Sequence, residues 1–84
     1  MTQQDEVRMY FWIPREEVGF LQALLDAEDN LARMRTEKTL NQKSLIFLMC
    51  SRTRKAEVND FLRYFAEESE ISIEFVDSPL QPFV

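Results

Sequence analysis

Four basic side chains are the residues whose types and spacing could bind an anion. They are Arg33, Arg52, Arg54 and Lys55. A hairpin turn near residues 40–42 would bring Arg33 close to the other three, which lie at the start of a predicted helix where backbone amides also favour anions. Arginine binds carboxylate and phosphate groups through paired hydrogen bonds. The sequence therefore keeps two interpretations open: a small-anion-binding regulatory domain, or solvated basic residues paired with nearby acids such as Glu57.

The rest of the chain offers little chemistry for catalysis or metal binding. One cysteine and no histidine exclude an intrachain disulfide, a Cys/His zinc site and an imidazole base. Cys50 ends an apolar run, which favours a small buried side chain over a nucleophile. The acid pairs at 16–17 and 67–68 lie on predicted helix surfaces. Gly19 falls within a predicted helix, so there is no glycine-rich phosphate loop. We therefore expect no enzyme, no cofactor and no metal site.

Composition and charge limit the classes of partner. The chain has 84 residues, 45% of them hydrophobic, which predicts one folded domain. Its net charge of −5 disfavours general attraction to nucleic acid or to an anionic membrane. No apolar run approaches the roughly 18 residues of a membrane span, and the single cysteine suits a reducing compartment. We expect a cytoplasmic protein with no membrane partner, and the sequence does not identify a small-molecule ligand.

The apolar run from Ser44 to Cys50 organises the predicted fold. Because it has no polar face, it is typical of a central strand covered on both sides. Alternation or helical spacing of apolar residues predicts the other elements around it. These are a strand over 6–13 that Pro14 ends, a helix from about residues 14–15 to about residue 28, a weaker strand over 31–36, a hairpin connection over 37–43, a helix from about residue 53 to 68, and a strand over 71–76.

The order of these elements predicts the fold class. It is an α+β, ferredoxin-like βαββαβ sandwich, with a four-stranded antiparallel sheet and two helices on one face. The first and third strands should be central because they are the most apolar, and the second and fourth should be edges because they carry charged residues. The domain should span 6–76, with flexible tails at 1–5 and 77–84.

The sheet face away from the helices is the predicted association face. It should carry Tyr10, Trp12 and Val76, together with alternate residues of the third strand. That half is either the Leu45, Phe47, Met49 set or the Ile46, Leu48, Cys50 set, because the turn sequence does not fix the register. Large exposed apolar faces are rare on monomers, so the pattern favours a homodimer or higher homo-oligomer.

A second interpretation of the same aromatic residues is a single-stranded nucleic-acid-binding module. Bases would stack on Tyr10 and Trp12, as they do on the central strands of RNA-recognition sheets. The acidic net charge argues against this, as does the lack of glycines in residues 43–48, where such sheets carry a glycine-containing motif. The sequence therefore disfavours nucleic acid as a partner.

The pattern of the first half of the chain also resembles a known family. The segments from Tyr10 to Gln22 and from Leu25 to Thr36 resemble a short bacterial domain family of unknown function, and the resemblance extends over about residues 8–76. It implies a small bacterial protein of ferredoxin-like or ACT-like shape, with no activity to carry over. ACT domains commonly use a glycine after the first strand to bind ligands, whereas this chain has Pro14, Arg15 and Glu16 there.

Overall fold

The computed structural model describes residues 5–77 and has the α+β composition that the sequence predicts. Its elements are β1 Glu6–Pro14, α1 Val18–Asp26, β2 Arg33–Leu40, β3 Lys43–Ser51, α2 Lys55–Ser69 and β4 Glu74–Val76. A short 3-10 turn precedes each helix, Arg15–Glu17 before α1 and Arg52–Arg54 before α2. The predicted flexible tails, apart from Asp5 and Asp77, lie outside the described residues. No helix within 5–77 is long and apolar enough to cross a membrane.

The four strands form one antiparallel sheet in the order β2-β3-β1-β4. The prediction that the first and third strands are central is confirmed, as is the edge position of the second and fourth. β1 and β3 pair over their whole nine-residue lengths, from Glu6 opposite Ser51 to Pro14 opposite Lys43. These two strands are therefore the rigid base on which any site on the sheet is built.

The β2–β3 hairpin is tighter than the sequence predicts. Residues 37–40 continue β2 and do not form a connection, so the turn is only Asn41 and Gln42. Asn41 has a φ of 57°, a left-handed conformation that asparagine tolerates and that two-residue hairpins use. A bulge between Thr36 and Lys38 shifts the pairing by one residue. The polar residues of this segment resemble a loop because β2 is an exposed edge.

The last strand is shorter than predicted. Only Glu74–Val76 pairs with β1, whereas the alternation pattern predicts a strand from residue 71. Glu70 has a φ of 57° and ends α2, and the amide of Ile71 donates to the carbonyl of Ala66 at 3.0 Å. Residues 71–73 then lead back to the sheet edge, with Ile71 and Ile73 packing against the core. Their apolar spacing reflects this contact and not strand pairing.

Both helices pack on the same face of the sheet, and this contact forms the core. The helical residues lie at i, i+3, i+4 and i+7 spacing, which gives each helix one apolar side. They meet the strand residues that point to the same side, so the register question for β3 is resolved. The core contains Phe11, Ile13, Leu21, Leu25, Leu31, Ile46, Leu48, Cys50, Val58, Phe61, Leu62 and Phe65. The Leu45, Phe47, Met49 set therefore faces the other way.

Candidate association face and anion site

The open face is the side of the sheet away from the two helices. Strand register places two rows of residues across its centre. Tyr10 lies between Phe47 of β3 and Val76 of β4, and Trp12 lies between Leu45 of β3 and Glu74 of β4. Met49 and Arg33, which are paired across β3 and β2, lie toward the far end. The predicted association residues Tyr10, Trp12 and Val76 therefore do share one face.

One end of the open face is closed within the chain itself, which corrects the expectation that Trp12 is exposed. Trp12 is 1% exposed and Leu45 is fully buried. Lys43 of β3 and Glu74 of β4 form an ion pair, and the register makes this pair cross β1 beside Trp12. Lys43 and Glu74 lie 31 residues apart, so no local pattern predicts this ion pair.

The other end remains partly open, and we call it the Tyr10–Phe47 patch, made of Tyr10, Phe47, Met49, Val76 and Arg35. Its four apolar members are half-buried. The rings of Tyr10 and Phe47 are 5.3 Å apart between centroids and tilted by 43°. The guanidinium carbon of Arg35 lies 4.8 Å from the centroid of the Phe47 ring, a cation–π distance. The patch therefore presents aromatic surface next to a positioned positive charge.

The rim of the patch carries both signs of charge. Arg35 Nε donates to Glu37 Oε2 at 2.6 Å, and Arg8 Nη2 donates to Glu6 Oε1 at 3.3 Å. Both pairs join residues two apart, because side chains at that spacing in a strand lie on the same face. Exposed pairs of this kind contribute about 0–1 kcal/mol each to stability. Their main effect is to balance the charge around the aromatic centre.

A basic cavity of about 480 Å³ lies beyond Met49, where β1 begins and β3 ends. Two of the four predicted anion-binding residues, Arg33 and Arg54, line it. The other two, Arg52 and Lys55, flank Arg54 in sequence but are not in the cavity wall. The full lining is Glu6, Asn30, Leu31, Ala32, Arg33, Met49, Cys50, Ser51 and Arg54. Asn30 and Ser51 add polar groups to the wall, and no sequence pattern identifies either residue as part of a site.

Arg54 and Arg33 differ in how firmly they are held. Arg54 Nε donates to Glu57 Oε1 at 2.6 Å, and its Nη1 donates at 3.5 Å to the carbonyl oxygen of Asn30. The predicted pairing of a basic residue here with Glu57 is therefore present. Arg33 is exposed at the start of β2, and no hydrogen bond or ion pair joins its side chain to another residue in 5–77.

Cys50 lies at the floor of this cavity as a small buried side chain, 5% exposed. Burial raises the pKa of its thiol above the ordinary value, and the positive charges of Lys55 and Arg54 act in the opposite direction. A thiol with a raised pKa is protonated at neutral pH and is a poor nucleophile. The floor of the cavity is therefore uncharged.

The described part of the chain has no group of three cysteine, aspartate or glutamate side chains placed to hold a metal ion. Arg35 is the residue of the open face that the sequence was least able to identify. Its position opposite Phe47 depends on the bulge between Thr36 and Lys38, because the two-residue turn at 41–42 alone would place Thr36 there. Comparisons of the chain with protein-family models, with curated proteins and with solved structures return no significant match.

Proposed function

We propose that this chain is a small homodimeric interaction or regulatory module that associates through the Tyr10–Phe47 patch, and that it is not an enzyme. We also propose that its architecture is ferredoxin-like, which is supported by the central β1 and β3 strands and the β2–β3 hairpin. A cytoplasmic location belongs to the same proposal, supported by the single buried cysteine. The observation that carries the association proposal is the half-exposed Tyr10–Phe47 pair.

The residue types of the patch are those that protein interfaces favour. Aromatic residues, methionine and arginine are enriched at interface centres, whereas lysine and glutamate are depleted there. The patch centre has Tyr10, Phe47, Met49 and Arg35, with the glutamates of the two ion pairs at its rim. Tyr10 and Phe47 already contact each other, so little side-chain freedom would be lost on binding. This composition supports a protein partner.

The area of the open face sets the expected affinity of the dimer. Strands about 4.8 Å apart with about 3.3 Å per residue give this sheet a footprint of roughly 500 Å². Two copies face to face would bury about 1,000 Å² in total, near the lower limit of specific interfaces. Because Trp12 and Leu45 are already buried in one chain, they add little new burial. We therefore expect a reversible dimer with micromolar affinity.

The mixed charge at the rim makes a second copy an acceptable partner. In a two-fold interface each residue meets the same surface of its partner, so a rim of one sign would repel itself. Here Arg8 lies beside Glu6 and Arg35 beside Glu37. Each arginine of one copy can meet a carboxylate of the other. This arrangement supports self-association over repulsion.

Sedimentation equilibrium of the wild type and two serine variants tests the proposal. Tyr10→Ser and Phe47→Ser should each weaken dimerisation by more than about thirtyfold, because a central aromatic anchor is worth about 2 kcal/mol or more and a two-fold dimer loses it twice. Circular dichroism should show the fold retained, since both residues are only half-buried. Tyr64→Ser is the matched control, because Tyr64 is 51% exposed on α2 and should not affect association.

A wild type that remains monomeric throughout the micromolar range would contradict the proposal. Loss of the dimer in Tyr64→Ser but not in Tyr10→Ser would move the interface to the helices. Either outcome would leave the open sheet face without the role assigned to it.

Binding of single-stranded nucleic acid is the second candidate, favoured by one observation. Adjacent aromatic rings on the two central strands, with Arg35 beside them, resemble a base-stacking platform. Against it, Arg35 already covers Phe47, and Arg35 and Arg8 are each paired with a carboxylate. We expect no salt-sensitive binding of single-stranded RNA or DNA at physiological ionic strength. Micromolar binding that weakens steeply with salt and is lost in Tyr10→Ala would promote this candidate.

A further inference from the structure

The basic cavity at the end of the sheet is a feature that self-association leaves unused. Its walls come from separate segments: the 30–33 segment after α1, the end of β3, and the 3-10 turn before α2. It shares Met49 with the Tyr10–Phe47 patch but does not include Tyr10 or Phe47. Its volume of about 480 Å³ is within the range of small-molecule sites in proteins. A dimer formed through the Tyr10–Phe47 patch would therefore leave its role unexplained.

We propose that this cavity binds a small organic anion, with a carboxylate or phosphate group held between Arg33 and Arg54 and an apolar part against Leu31 and Met49. Arg54 is pre-positioned, because Glu57 and the carbonyl of Asn30 hold two of its nitrogens. Its remaining N–H groups are oriented at no further entropic cost. Arg33 supplies the second guanidinium from the start of β2. A bound anion would therefore link β2 to the turn before α2, two segments that are distant in sequence.

The charge of the cavity selects for an anion. Glu6 is the acid in its wall, and Arg8 already pairs with it at 3.3 Å. The floor carries Cys50, which is a neutral thiol at neutral pH because burial raises its pKa. Arg33 therefore has no acid competing for it among residues 5–77, although the chain as a whole carries a net charge of −5. A cation or a metal ion would meet two guanidinium groups and be repelled.

The remaining wall sets the size and polarity of the ligand. Leu31 is 4% exposed and Met49 is half-buried, so each shows only a small apolar surface to the cavity. Ser51 adds a hydroxyl, already in contact with Thr53 Oγ1 at 3.0 Å. A bulky aromatic ligand has no ring to stack on within this wall. A short-chain carboxylate or a small phosphate ester matches it better.

Amide chemical-shift titration of the uniformly ¹⁵N-labelled protein tests the proposal. The probes are inorganic phosphate and butyrate in separate titrations, with sodium chloride holding ionic strength constant. Saturable shifts should appear at residues 30–33 and 50–54. Stronger binding of butyrate would assign a carboxylate ligand, and stronger binding of phosphate would assign a phosphate ester. Shifts that never saturate, or that follow ionic strength alone, would overturn the site.

Arginine variants locate the binding. Arg33→Gln and Arg54→Gln should each weaken binding about tenfold or more, because each removes a charge-assisted hydrogen-bonding group. Arg63→Gln is the matched control, since Arg63 pairs with Asp60 in the same i,i+3 geometry as Arg54 with Glu57 but lies outside the cavity. An equal loss of anion affinity in Arg63→Gln would mean that binding depends only on the overall charge of the protein, and it would overturn the proposal.

Two further checks separate this site from folding and from self-association. Arg33 has no partner to lose among the described residues, so Arg33→Gln should keep the wild-type melting temperature even if Arg54→Gln does not. Tyr10→Ser should bind the anion as the wild type does, because Tyr10 is outside the cavity wall. Failure of dimerisation with retained anion binding would therefore overturn the proposed function alone.

Discussion

The two faces of the central strand β3 are equally apolar over residues 45–50 but are covered in different ways. Within β3 the residues alternate between them, so Phe47 and Leu48 are neighbours in the chain and point to opposite sides. Leu48 is fully buried by the helices, whereas Phe47 is half-buried on the open face. The helix side is a continuous core. The open side is closed around Trp12 and partly open around Phe47.

This difference shows that an unbroken apolar strand does not require a partner protein over its whole length. The Trp12 end is buried within a single chain, where Trp12 is 1% exposed. The remaining surface needing cover is the Tyr10–Phe47 patch. The proposed interface therefore has a smaller area than the sequence alone suggests, and the expected affinity of the dimer is lower. The interface is still on the open face of the sheet.

Charge is also unequal between the two layers. The helical segments at 15–30 and 52–70 carry ten acids and five bases, whereas the strands carry three acids and five bases. The net charge of −5 is therefore a property of the helical layer. Net charge alone is a poor guide to partners of the sheet face or of the basic cavity, because fields from exposed charges fall off within about 10 Å at 0.1 M salt.

The largest expected effect comes from placing a charge at the closed end of the open face. Trp12→Glu should unfold the protein instead of dissociating it, because an unpaired buried carboxylate costs several kcal/mol and Trp12 is 1% exposed. Urea denaturation followed by circular dichroism measures this loss. Trp12→Phe, which keeps an aromatic ring, should remain folded. A Trp12→Glu protein that is folded and monomeric would restore Trp12 to the association surface.

The adjacent residues Leu48 and Phe47 give the next largest contrast. Leu48→Ala should lower the free energy of unfolding by about 2–5 kcal/mol, as cavity-forming changes in cores do. Phe47→Ala should cost only about 1–2 kcal/mol, for half a buried ring and its contact with Arg35. Urea denaturation at a protein concentration low enough to keep the chain monomeric compares them. Equal losses would mean that the open face is as fully packed as the core.

Much of the fold could be predicted from the sequence because the core residues repeat at the spacing of their element. The pattern around Phe61 and Phe65 identifies α2, and the apolar run of β3 identifies a central strand. Strand limits were less predictable where polar residues belong to an edge, as at 37–40. At Ile71 and Ile73, alternation that resembles a strand comes from packing against the core.

The candidate sites were only partly predictable for a related reason. Arg33 and Arg54 were identified because a turn near Asn41 fixes where Arg33 lies along β3. The Lys43–Glu74 ion pair and the contact between Arg54 and the carbonyl of Asn30 join residues far apart in sequence. Contacts of this kind follow from the packing of the whole sheet and have no local pattern to reveal them.

The smallest expected effect is on how stability depends on pH. Burial of the Cys50 thiol and the positive charges beside it act on the thiol pKa in opposite directions. Because the pKa of Cys50 is raised in the fold, the folded state holds the thiol proton at a pH where the unfolded chain has lost it. Stability from this group is therefore fully present below the ordinary pKa of 9.0 and falls as the pH rises above it. The free energy of unfolding should decline less steeply above pH 9.0 in Cys50→Ala than in the wild type. Lys55→Gln should make the decline steeper, because the charge of Lys55 favours the thiolate. Thiolate absorbance with its midpoint below pH 9.0 in the folded protein would instead identify Cys50 as an exposed, activated cysteine.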